Sequence, residues 1–278
     1  MIRAYKLSDP PTMRQEPISP RALRRLLRGA SSKRDKFIAN LIVGAFFYAC
    51  RSCEYVLTSG DPRSRIIRVQ DVRFFYIKSG QAITVPAGSA RATGVQIHFR
   101  MQKNLSAEDR ISMHATGDEL CPVKAWTHVV TGIGRTKRGT TGVSVNQFDG
   151  KGGDIRYIDI DRAVKGVMRK MQGKDSGLAY GTHSIRCGAA LAMYLNGTSV
   201  VDIMLQGRWG SDAFLLYIKR EVLQRSVGIS ADMLKTDDYA ILPRRPEKAS
   251  LHRSRSALTM RSSREGDHYA SPALHLSH

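Results

Sequence analysis

The sequence predicts a mainly α-helical fold carrying one small antiparallel β-sheet, an α+β class. Three observations lead there. Apolar residues recur at helical spacing before about residue 60 and again after residue 120. Between those regions, four short runs rich in β-branched and aromatic residues alternate with period two, and Gly, Pro and polar clusters separate the runs. At 278 residues and 42% hydrophobic, the chain is long enough to bury its core without disulfides or a metal.

The elements follow in order. Residues 1–16, with the proline-rich "DPPTMRQ", read as a loose N-terminal segment. Ser19 and Pro20 are an N-cap and first-turn pair that opens the helix "RALRRLL", which stops at Gly29 and leaves Arg21, Arg24, Arg25 and Arg28 to solvent or to phosphates. "DKFIANLIVGAFFYACRSCEYVLTSG" is apolar for most of its length and reads as one buried central helix ending near Gly60. "RIIRVQDVRFFYI", "QAITVP", "GVQIHFRMQ" and "RISMHAT" are the strands, with "KNLSAED" as the turn between the last two. A helix resumes at Pro122 in "CPVKAWTHVV". The glycine-rich "TGIGRTKRGTTGVSVNQFDGKGGD" lacks the GK[ST] ending of a phosphate loop and is expected to be a flexible loop.

Asp161 to Gly173 reads as the next helix, "DRAVKGVMRKMQG". In "GTHSIRCGAALAMYLNG", Thr182 or Ser184 is placed to cap a helix whose Ile185, Ala189, Ala192 and Met193 share one face up to Gly197. "SVVDIMLQG" and "SDAFLLYIKREVLQRS" are two further helices, and the Ser-, Arg- and His-rich residues 240–278 are expected to form a disordered basic tail.

Forty-four Lys and Arg against 24 Asp and Glu leave a formal charge of +20, an excess whose self-repulsion a polyanion would relieve. Nucleic acid is the first candidate partner and an anionic membrane surface the second. Membrane association is disfavoured, because the basic residues do not gather on one amphipathic helix and no apolar run is long enough to span a bilayer. The N-terminus has no secretory h-region, so the chain is expected in the nucleus if its source is eukaryotic, otherwise in the cytoplasm, and not secreted. Cys50, Cys53, Cys121 and Cys187 are too few and scattered for a disulfide framework, and the Cys50–Cys53 pair has no second pair to complete a zinc site. Neither metal nor cofactor is expected.

One constellation carries chemistry. Arg51 is followed at three residues by Glu54; His183 and Arg186 stand three residues apart at a helix mouth; and "GRWGSDAFLLYI" contains Tyr217. Guanidinium forks suit the two charged oxygens of a phosphodiester better than ammonium groups do, and His183, one turn before Arg186, lies on the same side to donate or move a proton. A helix N-terminus favours an anion as well. Structural readings stand beside these: Arg51 pairing with Glu54, His183 as a cap donor, Tyr217 as core.

In that order the set resembles the tyrosine recombinase (phage integrase) family, with its Arg box, His-x-x-Arg box and C-terminal tyrosine. The wording "HSIRCGAA", "GRWGSDAFLLYI" and "CPVKAW" is most similar to recombinases of Crypton- and DIRS-type mobile elements. The resemblance runs from about Pro17 to Gln224 and implies a catalytic domain over residues 17–239. It implies DNA recombination or integration by metal-free transesterification through a 3′-phosphotyrosine at Tyr217. Lys103, in the turn after "VQIHFR", would protonate the leaving 5′ oxygen, a role for which Arg100 and Arg110 compete. Duplex DNA is the implied partner, with a homo-oligomer assembled on it.

Two departures bear on the site. Cys187 stands where the family carries a second histidine, and the position nine residues before Tyr217 holds Arg208, with Trp209 one residue closer. Trp209 is taken as the family's His/Trp group and Arg208, with Glu54, as supporting; either residue can fill the position. The family's DNA-clamping domain would precede the catalytic one, so a truncated copy or a truncated gene model is expected. The alternatives are an inactive DNA-binding remnant of a mobile element, or nicking and resealing like a type IB topoisomerase.

Overall fold

A computed structural model describes residues 15–58, 65–100, 108–133, 142–149, 153–209 and 215, all within the first of the chain's two units, Met1–Arg225. It is a helical domain with one four-stranded antiparallel sheet. Helix α1 (Pro20–Arg28) starts where Ser19 Oγ accepts from Ala22 N at 3.3 Å and ends at Gly29. Helix α2 (Lys33–Phe47) begins at a capping box in which Ser32 Oγ accepts from Asp35 N and the Asp35 carboxylate accepts from Ser32 N. Its residues Phe37, Leu41, Ile42, Val43 and Ala45 are fully buried, because α2 is packed on several sides, by α1 and by three later helices.

The central helix is not continuous to Gly60, as the apolar run predicts. It breaks at Tyr48–Cys50: Ala49 turns into the left-handed region (φ 44°) and Cys50 N reaches back to Ala45 O at 2.9 Å. A separate one-turn helix, α3 (Ser52–Tyr55), follows. No Gly or Pro marks this break; buried partners from distant segments hold it, as described below.

The strands are β1 (Val72–Lys78), β2 (Gln81–Val85), β3 (Gly94–Phe99) and β4 (Asp109–His114), in the order β2-β1-β3-β4 with every pairing antiparallel. Val72, Phe74 and Phe75 of β1 and Val95, Ile97 and Phe99 of β3 are buried, whereas β2 is an exposed edge. Tyr48 joins α2 to the sheet through its Oη, which donates to Val95 O at 2.6 Å.

Helix α4 (Pro122–Gly132) packs against α2, β3 and β4 with Trp126 fully buried. The glycine-rich stretch predicted as a flexible loop is pinned where it is described. Val69 N donates to Val143 O and Val145 N to Ile67 O, Phe148 packs on Phe37 at 5.2 Å, and the buried Asn146 donates to Ile155 O. Helix α5 (Tyr157–Gln172) starts four residues before Asp161, because the Asp159 carboxylate caps Arg156 N at 2.9 Å and Tyr157 N donates to Leu57 O. Helices α6 (Thr182–Leu195) and α7 (Val200–Gly207) match their sequence signals; Gly197 (φ 79°) ends the first and Ser199 caps the second by accepting from Asp202 N. No helix among the described residues is long and apolar enough to cross a membrane.

Candidate active site

The break after α2 creates the site. Helix C-termini leave carbonyls without intrahelical partners, and here two arginines take them: Arg208 Nη1 donates to Tyr48 O at 2.9 Å and Arg186 Nη1 donates to Ala49 O. The turn redirects the chain so that Arg51 becomes the N-cap of α3 rather than a residue on a continuous helix face. From there its side chain reaches inward and remains 15% exposed.

Glu54 is the hub. Its carboxylate, buried in α3, accepts from Arg51 N (2.8 Å), Arg51 Nη1 (3.0 Å) and Arg208 Nη2 (2.7 Å). Burial alone would raise its pKa; the charges of Arg208, Arg186 and Arg51 outweigh burial and hold the carboxyl below its ordinary value. Three guanidiniums thus surround one carboxylate, a local surplus of two positive charges in a poorly solvated region.

Arg186 enters from the first turns of α6. It is 2% exposed, donates through Nη2 to Gly207 O at 2.8 Å, and its Cζ stands 4.1 Å from the centroid of the Trp209 ring. Burial, with Arg51 next, pushes its pKa down to about 9 despite Glu54. His183 lies one turn earlier, at the exposed mouth of α6. The surrounding protein, together with the Arg186 charge, lowers its pKa below the ordinary 6.5, so the imidazole is neutral at pH 7.

The mouth of α6 is capped differently from the sequence expectation. Gln15 Oε1 accepts from His183 N at 2.9 Å and Ser184 N at 3.3 Å, while Ser184 Oγ accepts from Gly181 N and Thr182 does not cap. The first free backbone donors of the helix are therefore committed to a side chain 168 residues away in sequence. Neighbouring Ile18 N donates to Ser184 O, and the strap crosses α6 at Gly188, where any Cβ would collide with Ile18 O. No sequence signal announces Gln15.

The remaining predicted residues separate clearly. Arg208, left-handed at φ 56° and ψ 48°, has its side chain wholly buried, with Cζ 3.6 Å from the Phe99 ring centroid. Trp209 covers Arg186. Cys187 is buried beside Arg186 in sequence, and Cys50 is a free thiol whose pKa burial pushes up to about 12, which keeps it neutral. Arg100 is engaged by the buried Asp71 at 2.6 Å. Lys103 and Tyr217 lie outside the described residues. No group of three or more His, Cys, Asp or Glu suited to a metal occurs among the described residues.

No protein-family model matches the chain, and no curated protein matches it. Among solved structures it is similar to the XerH site-specific recombinase bound to palindromic difH substrate in a post-cleavage complex, with 14% identity, a TM-score of 0.48, and coverage of 78% of this chain and 54% of that one. It is also similar to the Tn1549 transposon integrase in complex with transposon right end DNA, with 12% identity, a TM-score of 0.45, and coverage of 80% of this chain and 70% of that one. The chain therefore spans about half the length of the XerH structure it matches.

Proposed function

We propose that this chain carries the catalytic domain of a tyrosine recombinase, which breaks and rejoins duplex DNA by metal-free transesterification. The observation that carries the reading is the gathering of three guanidiniums, Arg51 and Arg208 paired with the carboxylate of Glu54 and Arg186 held nearby by the carbonyls of Ala49 and Gly207. A surplus of two buried positive charges next to a neutral histidine suits a phosphodiester, whose transition state gathers negative charge on its non-bridging oxygens. The +20 charge of the chain supports a polyanionic partner, and the order of Arg51, His183, Arg186 and Tyr217 supports this family's chemistry among phosphodiester reactions.

In this mechanism Arg51 and Arg186 hold the scissile phosphate through their unused N–H groups. The Tyr217 hydroxyl oxygen attacks phosphorus and its proton passes to the neutral His183 imidazole. The bond from phosphorus to the 5′ oxygen breaks, that oxygen takes a proton from Lys103, and a 3′-phosphotyrosine forms. Attack by a 5′ hydroxyl reverses each step, so the bond energy is conserved and no nucleotide cofactor is consumed.

The test is a covalent trap. The protein is incubated without metal on nicked duplex DNA bearing candidate element ends, then denatured and resolved by size. A DNA-shifted band from the parent that Tyr217→Phe abolishes is expected. Duplex binding with no such band would favour a DNA-binding remnant instead.

A further inference from the structure

Three consecutive residues at the C-terminal end of α7 contact both candidate phosphate-binding arginines. Gly207 O accepts from Arg186 Nη2 at 2.8 Å. Arg208 O accepts from Arg51 Nη2 at 3.1 Å, while its own guanidinium grips Glu54, which holds Arg51 from the other side. The Trp209 ring lies against the Arg186 guanidinium. We propose that Gly207–Arg208–Trp209 is the positioning unit of the site: Arg208 sets Arg51 through Glu54 and through its own carbonyl, and Gly207 with Trp209 sets Arg186. The inference rests on the phosphodiester reading of those two arginines.

Charge pairing decides between positioning and direct contact: Arg208 is ion-paired with Glu54, whereas the equally buried Arg186 donates to the neutral carbonyls of Ala49 and Gly207 and keeps its charge for a phosphate. The Arg208 side chain is 0% exposed, its Nη1 is committed to Tyr48 O and Nη2 to Glu54, and the Phe99 ring covers its face. A guanidinium neutralised by its own carboxylate and covered on its face offers a phosphate no surplus charge. Its effect is transmitted by the carboxylate whose opposite oxygen, Oε1, receives Arg51. The left-handed backbone at Arg208, rare for a residue with a side chain, is what aims its carbonyl at Arg51 while its guanidinium faces inward. Gly207 is required by the same turn, since a Cβ there would overlap the Trp209 ring.

The unit separates into two halves, which makes it testable. Guanidinium NMR of the whole chain reads the hindered rotation of Arg51 and Arg186 directly and needs no activity. Arg208→Lys keeps the charge on Glu54 but loses the fork, and should free Arg51 while leaving Arg186 unchanged. Trp209→Leu should do the reverse. On nicked duplex, Arg208→Lys should slow adduct formation about 100-fold, the scale of a small misplacement of a reacting group, with duplex affinity unchanged. Should Arg208→Lys fail to fold, combining Arg208→Met with Glu54→Gln removes both buried charges together; that pair should fold and still release Arg51.

Unaltered Arg51 rotation in Arg208→Lys would overturn the proposal, and so would a loss of duplex affinity equal to the loss of rate, which would mean direct contact with DNA. If the parent makes no adduct, the recombinase reading fails, and the two rotation measurements still decide whether residues 207–209 hold the arginines.

Discussion

Replacing Glu54 by glutamine removes one charge and changes the shape of the site hardly at all. The carboxylate presents two acceptors to three donors: Arg51 N and Arg208 Nη2 meet Oε2, and Arg51 Nη1 meets Oε1. An amide offers one acceptor. Turned with its NH2 toward Arg51 Nη1 it loses one bond; turned the other way it faces two donors. Either way Arg51 and Arg208 lose the carboxylate they share, and Arg186, already pushed down to about 9, loses the Glu54 charge that raises it. Breaking a buried ion pair from one side costs about 3–5 kcal/mol, which for a domain of this size lowers Tm by roughly 6–20 °C. The pH dependence supplies an independent sign. Because Glu54 titrates below its ordinary 4.5 in the folded state, its stabilisation is complete above that value and is lost as pH falls through the folded pKa. Urea unfolding of parent and Glu54→Gln, followed by tryptophan fluorescence, should show a gap that is wide at pH 7 and narrows below pH 4.5. A gap under about 1 kcal/mol at pH 7, the ordinary size for a point substitution, or one independent of pH, would refute the hub role.

Gly188→Ala should displace the Ile18 strap and the Gln15 cap with it, costing about 2–4 kcal/mol from the lost burial of an isoleucine and the loosened helix start; urea unfolding checks the value, and an unchanged midpoint would mean that the strap does not need the crossing. Cys50, its thiol pushed up to about 12, should resist alkylation at pH 8 in the native protein and react on unfolding. The same shift means that stability declines as pH rises from the ordinary 9 toward 12, because the unfolded thiol ionises first. Orthovanadate, a stand-in for the pentavalent phosphorus of the transition state, should raise Tm in a concentration-dependent way. Arg51→Ala should abolish the Tm effect.

Much of the fold was legible because its signals are local. Ser19–Pro20 is a cap pair that acts within three residues, and the alternation in β1 and β3 marks a sheet with one buried side. One reading failed because the deciding interaction was distant. The apolar run through "AFFYACRSC" carries no breaker, so periodicity continues a helix that Arg186 and Arg208, more than 130 residues away, hold open at Ala49 and Tyr48. The glycine-rich stretch reads as a loop, and residues 142–149 are irregular, tethered where Val143 and Val145 bond to the chain around Ile67–Val69.

What the sequence by itself determined is the inventory: a mainly helical chain with one small antiparallel sheet, a large positive charge, and an ordered set of Arg51, Glu54, His183, Arg186, Arg208 and Trp209. Tertiary structure alone decided how these share the work. Counting from Tyr217 could not separate Arg208 from Trp209, because the choice depends on which side of one left-handed turn faces Glu54. The structure puts Arg208 inward and lays Trp209 on Arg186. The physical reason is desolvation: a buried carboxylate requires its cations wherever the chain brings them, and a lost partner there costs far more than any local preference of the backbone.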